Sequence, residues 1–125
     1  MADTVFVVDN GLAIVTDLMT GGGTEPKNIH WGIGTTVPTS TWDALETARG
    51  EAKTIGTSSR VTTNVSNDTY QVTGSITCAG SSAAITEAGL FDSSTTLFLR
   101  ATFSAINLNV GDSINFTIKS AFDQA

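Results

Sequence analysis

Cysteine, histidine and tyrosine each occur once in these 125 residues, and proline twice. A lone cysteine, Cys78, forbids an intrachain disulfide and cannot by itself anchor a cysteine-based zinc site. A lone histidine, His30, excludes a histidine pair for a metal, and any Ser-His-Asp arrangement would have to be built around that one ring. Basic residues are also scarce. Lys27, Arg49, Lys53, Arg60, Arg100 and Lys119 are scattered along the chain against twelve acidic residues, for a formal net charge of −6. Affinity for nucleic acid comes largely from neutralising phosphates, so no nucleic-acid partner is expected. No apolar run reaches the ~18 residues of a membrane span, and no basic segment followed by an apolar run opens the chain. The expectation is a protein that begins at its own Met1, is made in a cytoplasm and has no membrane partner.

What is present points to strands. Charged residues make up only 14% of the chain, against roughly 25% in an average globular domain. Ser and Thr are plentiful, Gly numbers 12, and Thr, Val, Ile and Phe suit a half-buried pleated surface better than a helix flank. The length allows one domain, residues 1–125, which buries roughly 65% of the surface its unfolded chain would expose. The predicted class is mainly β: a single antiparallel β-sandwich or barrel-like domain with one short N-terminal helix.

Along the chain, residues 1–9 read as an N-terminal strand or extended arm carrying Val5, Phe6, Val7 and Val8. Residues 10–20 read as the helix. Asp9 or Asn10 can cap it, Leu12, Val15, Leu18 and Met19 recur at three- and four-residue spacing, and Gly21-Gly22-Gly23 stops it. A strand through Ala13-Ile14-Val15 is the rival reading. Asn28 to Ile33 is a strand with Trp31, residues 35–41 are a loop containing Pro38, and Trp42 with Leu45 is an apolar landing, one helical turn in extent. Strand candidates follow at 51–56 and 58–65, then a turn at Asn67-Asp68.

The clearest alternation sets Tyr70, Val72, Gly74, Ile76 and Cys78 on one face of a strand. Three more strands are read near 83–91, 96–104 and 112–122 as an antiparallel meander, the last burying Ile114, Phe116 and Ile118 on one side. A four-residue loop at Asp92 to Thr95 would place Leu90 opposite Leu97, Ala88 opposite Leu99, and Glu87 facing Arg100.

No residue set assembles into a catalytic, cofactor or metal site. His30 reads as a strand histidine beside Trp31, and Cys78 as a small buried hydrophobe with no positively charged or basic partner near it in sequence. Asp43, Glu46 and Glu51 lack the dense spacing of a calcium loop and read as a solvated acidic edge. Gly32-Ile33-Gly34 lacks the third glycine and the following helix of a phosphate loop, so its glycines are assigned to turns. Three Asn-x-Ser/Thr matches, at Asn64, Asn67 and Asn115, are taken as chance in so Ser/Thr-rich a chain. Trp42 is open to three roles: core plug, interface anchor or sugar-stacking platform.

The stretch Ala84 to Asp92 (AITEAGLFD), then Leu97 to Phe103 (LFLRATF) and Gly111 to Ile118 (GDSINFTI), resembles a pattern of small structural proteins of tailed bacteriophages. Gly23-Thr24-Glu25-Pro26-Lys27 and Trp31 to Thr36 are similar to their first half, so the likeness runs through most of the chain. The resemblance implies a non-enzymatic virion protein made in the host cytoplasm. It implies a cement or decoration protein on the capsid surface, with the major capsid protein and copies of itself, as a homotrimer, for partners. Assembly contacts are assigned to Val5, Phe6, Val7, Trp42 and Phe122. The alternatives are a tail or fibre component, or a carbohydrate-binding β-sandwich stacking sugars on Trp31, Trp42 and Tyr70.

Overall fold

The computed structural model describes residues 4–93 and 95–122, with the backbone alone for 4–6. Two antiparallel sheets face each other. The first, in spatial order, contains β1 (Thr4–Val7), β7 (Leu97–Leu108), β6 (Ala83–Phe91), β2 (Asn28–Gly32) and β3 (Thr54–Ile55). The second contains β4 (Thr57–Val61), β5 (Thr69–Thr77) and β8 (Ser113–Ala121). Among the described residues this is a β-sandwich with one helix, α1 (Asp9–Met19), near its N-terminus.

The period-two patterns hold. Val72, Ile76 and Cys78 are buried as the alternation of β5 requires, and β8 alternates exposed and half-buried residues along its whole length. Between the sheets, Ile29, Trp31, Leu90 and Leu99 meet Val72, Ile76, Phe116 and Ile118, and the Trp31 and Phe116 rings cross edge to face at 6.4 Å. The Asn67-Asp68 turn is also where expected. Asn67 takes a left-handed φ of 61°, and the Asp68 carboxylate accepts the backbone N–H groups of Thr63, Asn64 and Val65. Those three bonds hold its carboxyl well below the usual carboxylate range.

The helix lies one residue earlier than 10–20 and faces a different way from its Leu/Met stripe. Its N-cap is Val8 with no side-chain cap, because the chain turns straight out of β1 into the first helical turn. Gly21, at φ 89°, ends it as expected, with its N–H and that of Gly22 returning to the carbonyls of Leu18 and Asp17. The buried helix residues are Gly11 and Ile14, whereas Leu12, Leu18 and Met19 stay exposed. Backbone proximity decides this: a Cβ on Gly11 would lie 2.2 Å from the Phe98 carbonyl oxygen, so only a glycine lets the helix rest on β7.

Further expectations need correction. No helical turn forms at Trp42–Leu45, where the chain bends instead, and the strands read at 51–56 and 58–65 shrink to Thr54–Ile55 and Thr57–Val61. The meander fails at its last step. β7 continues past Ser104 to Leu108, and β8 crosses to the other sheet to pair with β5 over its full length. The β6–β7 register is also offset, with Leu90 opposite Leu99, Ala88 opposite Ala101 and Glu87 opposite Thr102. Phe98 is the extra residue of a bulge there. Phe98 and Leu99 both enter the core between the sheets, while Leu97 joins Val8, Leu45 and Phe91 on the outer side of the larger sheet.

Candidate functional site

β6 is buried from Ile85 to Phe91, so it is covered on both faces. The smaller sheet covers one. The other lies under a strap of irregular chain, residues 33–53, that leaves β2 and returns beside it through the Ile33 N–H to Thr47 carbonyl bond and the Arg49 N–H to Trp31 carbonyl bond. Irregular backbone over a buried face needs partners for its N–H groups, and one side chain supplies them. Glu87 Oε2 accepts from Gly34 N–H and Thr47 N–H, each at 2.8 Å, and Oε1 accepts from Glu46 N–H at 2.9 Å.

Arg100 Nε completes the set at 2.9 Å from Glu87 Oε1, with both side chains wholly buried. Its Nη1 donates to the Thr36 carbonyl at 2.7 Å, and the guanidinium carbon lies 4.2 Å from the centre of the Trp42 ring. Nη2 has no hydrogen-bond partner among the described residues, with the Glu46 carboxylate 3.8 Å away. Trp42 is thus half-buried, packed on a cation from β7. Gly32 and Gly34, assigned to turns in the sequence, make room for this carboxylate: added Cβ atoms would lie 2.6 Å and 2.5 Å from Glu87 Oε2. Glu46 in turn accepts from the Thr36 hydroxyl and from the Thr35 and Thr36 N–H groups. The Thr36 bonds foremost draw its carboxyl below the usual range.

A second carboxylate pins the far end of the strap. Glu51 accepts from Arg49, from the Trp31 indole N–H at 2.8 Å and from the Ala79 N–H at 3.0 Å. Arg49, followed by the other two donors, lowers its carboxyl to about 2. Arg49 Nη2 also reaches the Ala79 and Ser81 carbonyls and lies 3.7 Å from Cys78 Sγ, so the fold supplies Cys78 with a cation that sequence proximity did not. The thiol is buried and directed at the Ser81 carbonyl. His30 Nε2 sits 2.8 Å from the Glu51 carbonyl and 3.1 Å from that of Arg49. Glu46 and Glu51 therefore serve different nodes of the strap. Among the described residues no three His, Cys, Asp or Glu side chains converge on a metal position.

No family model, curated protein or solved structure matches the chain.

The remaining site is apolar. At one end of the sandwich, Val15, Leu18 and Met19 of α1, with Pro26, Phe98 and Phe122, line an open cavity of about 300 Å³. Met19 is 81%, Leu12 59% and Phe122 58% exposed, so the helix stripe and the C-terminal end of β8 present carbon to solvent side by side. At the cavity wall the Tyr70 hydroxyl donates to Glu25 and to the Pro26 carbonyl. Burial first, then Glu25, pushes the phenol above its ordinary value.

Of the assembly residues named from the sequence, the structure brings Val7 and Phe122 together on one cavity with Leu12, Val15 and Phe98, Val7 standing opposite Leu99. Trp42 lies apart from them, over Arg100 on the strap side. The segment of Val5 and Phe6 pairs with β7 of its own chain, and their side chains lie outside the described residues. Sequence reasoning missed Leu12, Leu18 and Met19 as surface residues, because their spacing is that of a core-facing stripe. The one available signal was Gly11, which marks a second helix face able to approach backbone. Trp31 is wholly buried and cannot stack a sugar.

Proposed function

We propose that this chain is a non-enzymatic virion structural protein, a cement or decoration protein that binds the outer surface of a bacteriophage capsid shell and meets the major capsid protein and copies of itself there. The observation that carries the reading is the apolar end, where Leu12, Leu18, Met19 and Phe122 are exposed together on a chain of net charge −6. Contiguous exposed carbon on a small domain marks a surface made to be covered. The resemblance noted in the sequence supports the same reading, since its segments AITEAGLFD and LFLRATF form the β6–β7 hairpin that holds Glu87 and Arg100. A rigid domain with a modest adhesive face suits a lattice, where many weak contacts add through multiplicity. The acidic, Ser/Thr-rich remainder keeps a crowded particle surface hydrated.

The test is sedimentation of the purified protein with capsid shells that lack it. Wild type is expected to pellet with the shells and Met19→Asp/Phe122→Ser to remain in the supernatant. Wild type that ignores shells but binds purified tails would overturn the capsid assignment and move the protein to the tail.

A further inference from the structure

Strand edges are the other unsatisfied surface. The described sheets end in four edges: β1 with four residues, β3 with two, β4 with five and β8 with nine. Proteins blunt exposed edges by shortness, proline, bulges or charge. β8 uses little of this, being the longest edge, free of proline, paired to β5 without a register shift, and charged only at Lys119.

The hydrogen bonds at its two ends fix which groups face outward. Cys78 N–H donates to the Asp112 carbonyl at 2.7 Å and Phe122 N–H to the Asp68 carbonyl at 3.0 Å. Both bonds belong to even-numbered residues on this strand, so Ile114, Phe116, Ile118 and Ser120 direct their backbone groups at β5. The N–H and C=O groups of Ser113, Asn115, Thr117, Lys119 and Ala121 consequently point to the free side, and these residues are exposed. Beside that edge the sandwich is open. Phe103 and Ile106 of β7 and Ile114 and Phe116 of β8 line a groove of about 370 Å³. The smaller sheet has three strands against five, and residues 103–107 of β7 stay half-buried or exposed beside it.

We infer that β8 is a self-association edge, on which the β8 of a second copy pairs antiparallel about a two-fold axis to join two three-stranded sheets into one of six, a closed pair in place of the homotrimer that the resemblance implies. The occupant follows from length, since β8 carries the longest run of free backbone groups among the described strands, nine residues against the six of β7 (103–108) that extend past β1. It follows also from side chains. An axis through Phe116 sets Phe116 against its own counterpart and Ile114 against Ile118 over the groove, with Asn115 facing Thr117 and Ser113 facing Lys119 outside. Apolar meets apolar, and the two lysines never oppose each other.

The joint is measured on the protein alone, so its failure is distinct from failure of the capsid reading. Sedimentation velocity across a dilution series should show a reversible monomer–dimer equilibrium. Hydrogen exchange should show the Asn115, Thr117 and Lys119 amides slowing as dimer forms, while those of Phe116 and Ile118 are protected throughout. Thr117→Pro removes an outward N–H without touching the β5 ladder and should weaken the dimer at least about tenfold. Should that variant fail to fold, Asn115→Lys/Thr117→Lys, which opposes like charges across the joint and leaves the backbone alone, should do the same. A monomer at every concentration, a trimer, or a dimer whose outward amides still exchange freely would overturn the inference.

Discussion

Glu87 and Arg100 form an ion pair 2.9 Å long with neither side chain exposed, yet they are not cross-strand partners: Gly89 stands opposite Arg100, and Thr102 opposite Glu87. The pair runs diagonally across the hairpin, which leaves the second carboxylate oxygen free for the strap. Desolvating two charges costs several kcal/mol each, so a buried pair is seldom a net source of stability. Here the carboxylate gathers three backbone N–H groups of a segment with no ladder of its own. Its role is to give that segment one conformation over β6.

Glu87→Gln should therefore cost about 3–5 kcal/mol, since it strands a buried guanidinium and turns an amide N–H₂ toward backbone donors. Urea denaturation measures the loss. Adding Arg100→Met should recover part of the stability, because no charge is then left unpaired, while the strap remains loose and open to proteolysis. Full additivity of the two losses would contradict the coupling.

Gly11→Ala is expected to destabilise even though alanine is the better helix former by about 1 kcal/mol. The new methyl would meet the Phe98 carbonyl oxygen at 2.2 Å, and pushing the helix off β7 costs about 1–3 kcal/mol. The net change is a small loss, with the helix displaced. Gly50→Ala is the control: a Cβ there meets nothing within 4 Å, so thermal melting should show no loss.

Acid should weaken the strap through Glu51. Its carboxyl lies at about 2 in the folded chain against 4.5 for a free one, so its stabilisation is complete above the free value. That contribution, on the order of 3 kcal/mol for a shift of this size, fades as pH falls through the window between the two. Glu51→Gln should lower the melting temperature at neutral pH and flatten its fall across that window. An unchanged acid slope would show that Glu51 is not among the groups responsible.

Much of the secondary structure was legible because it is written in local periods. Alternation at Tyr70 to Cys78 and at Ile114 to Ile118 gave β5 and β8, and glycine after Met19 ended the helix. The site was less legible. Glu87 and Arg100 stood out as nearby opposite charges, but their role as anchor of the strap depends on Gly34, Glu46 and Thr47, forty or more positions from Glu87. No pattern in the chain links those segments.

The sequence by itself determined a mainly β domain with one short N-terminal helix, because side-chain periodicity and turn chemistry act between residues a few positions apart. Only the tertiary structure decided what met what. The Phe98 bulge set the hairpin register, the close approach of Gly11 to β7 turned Leu12, Leu18 and Met19 outward, and β8 took β5 as its partner. Each was a choice among several partners of similar local fitness, settled by which combination closes one core and leaves fewest buried groups unpaired.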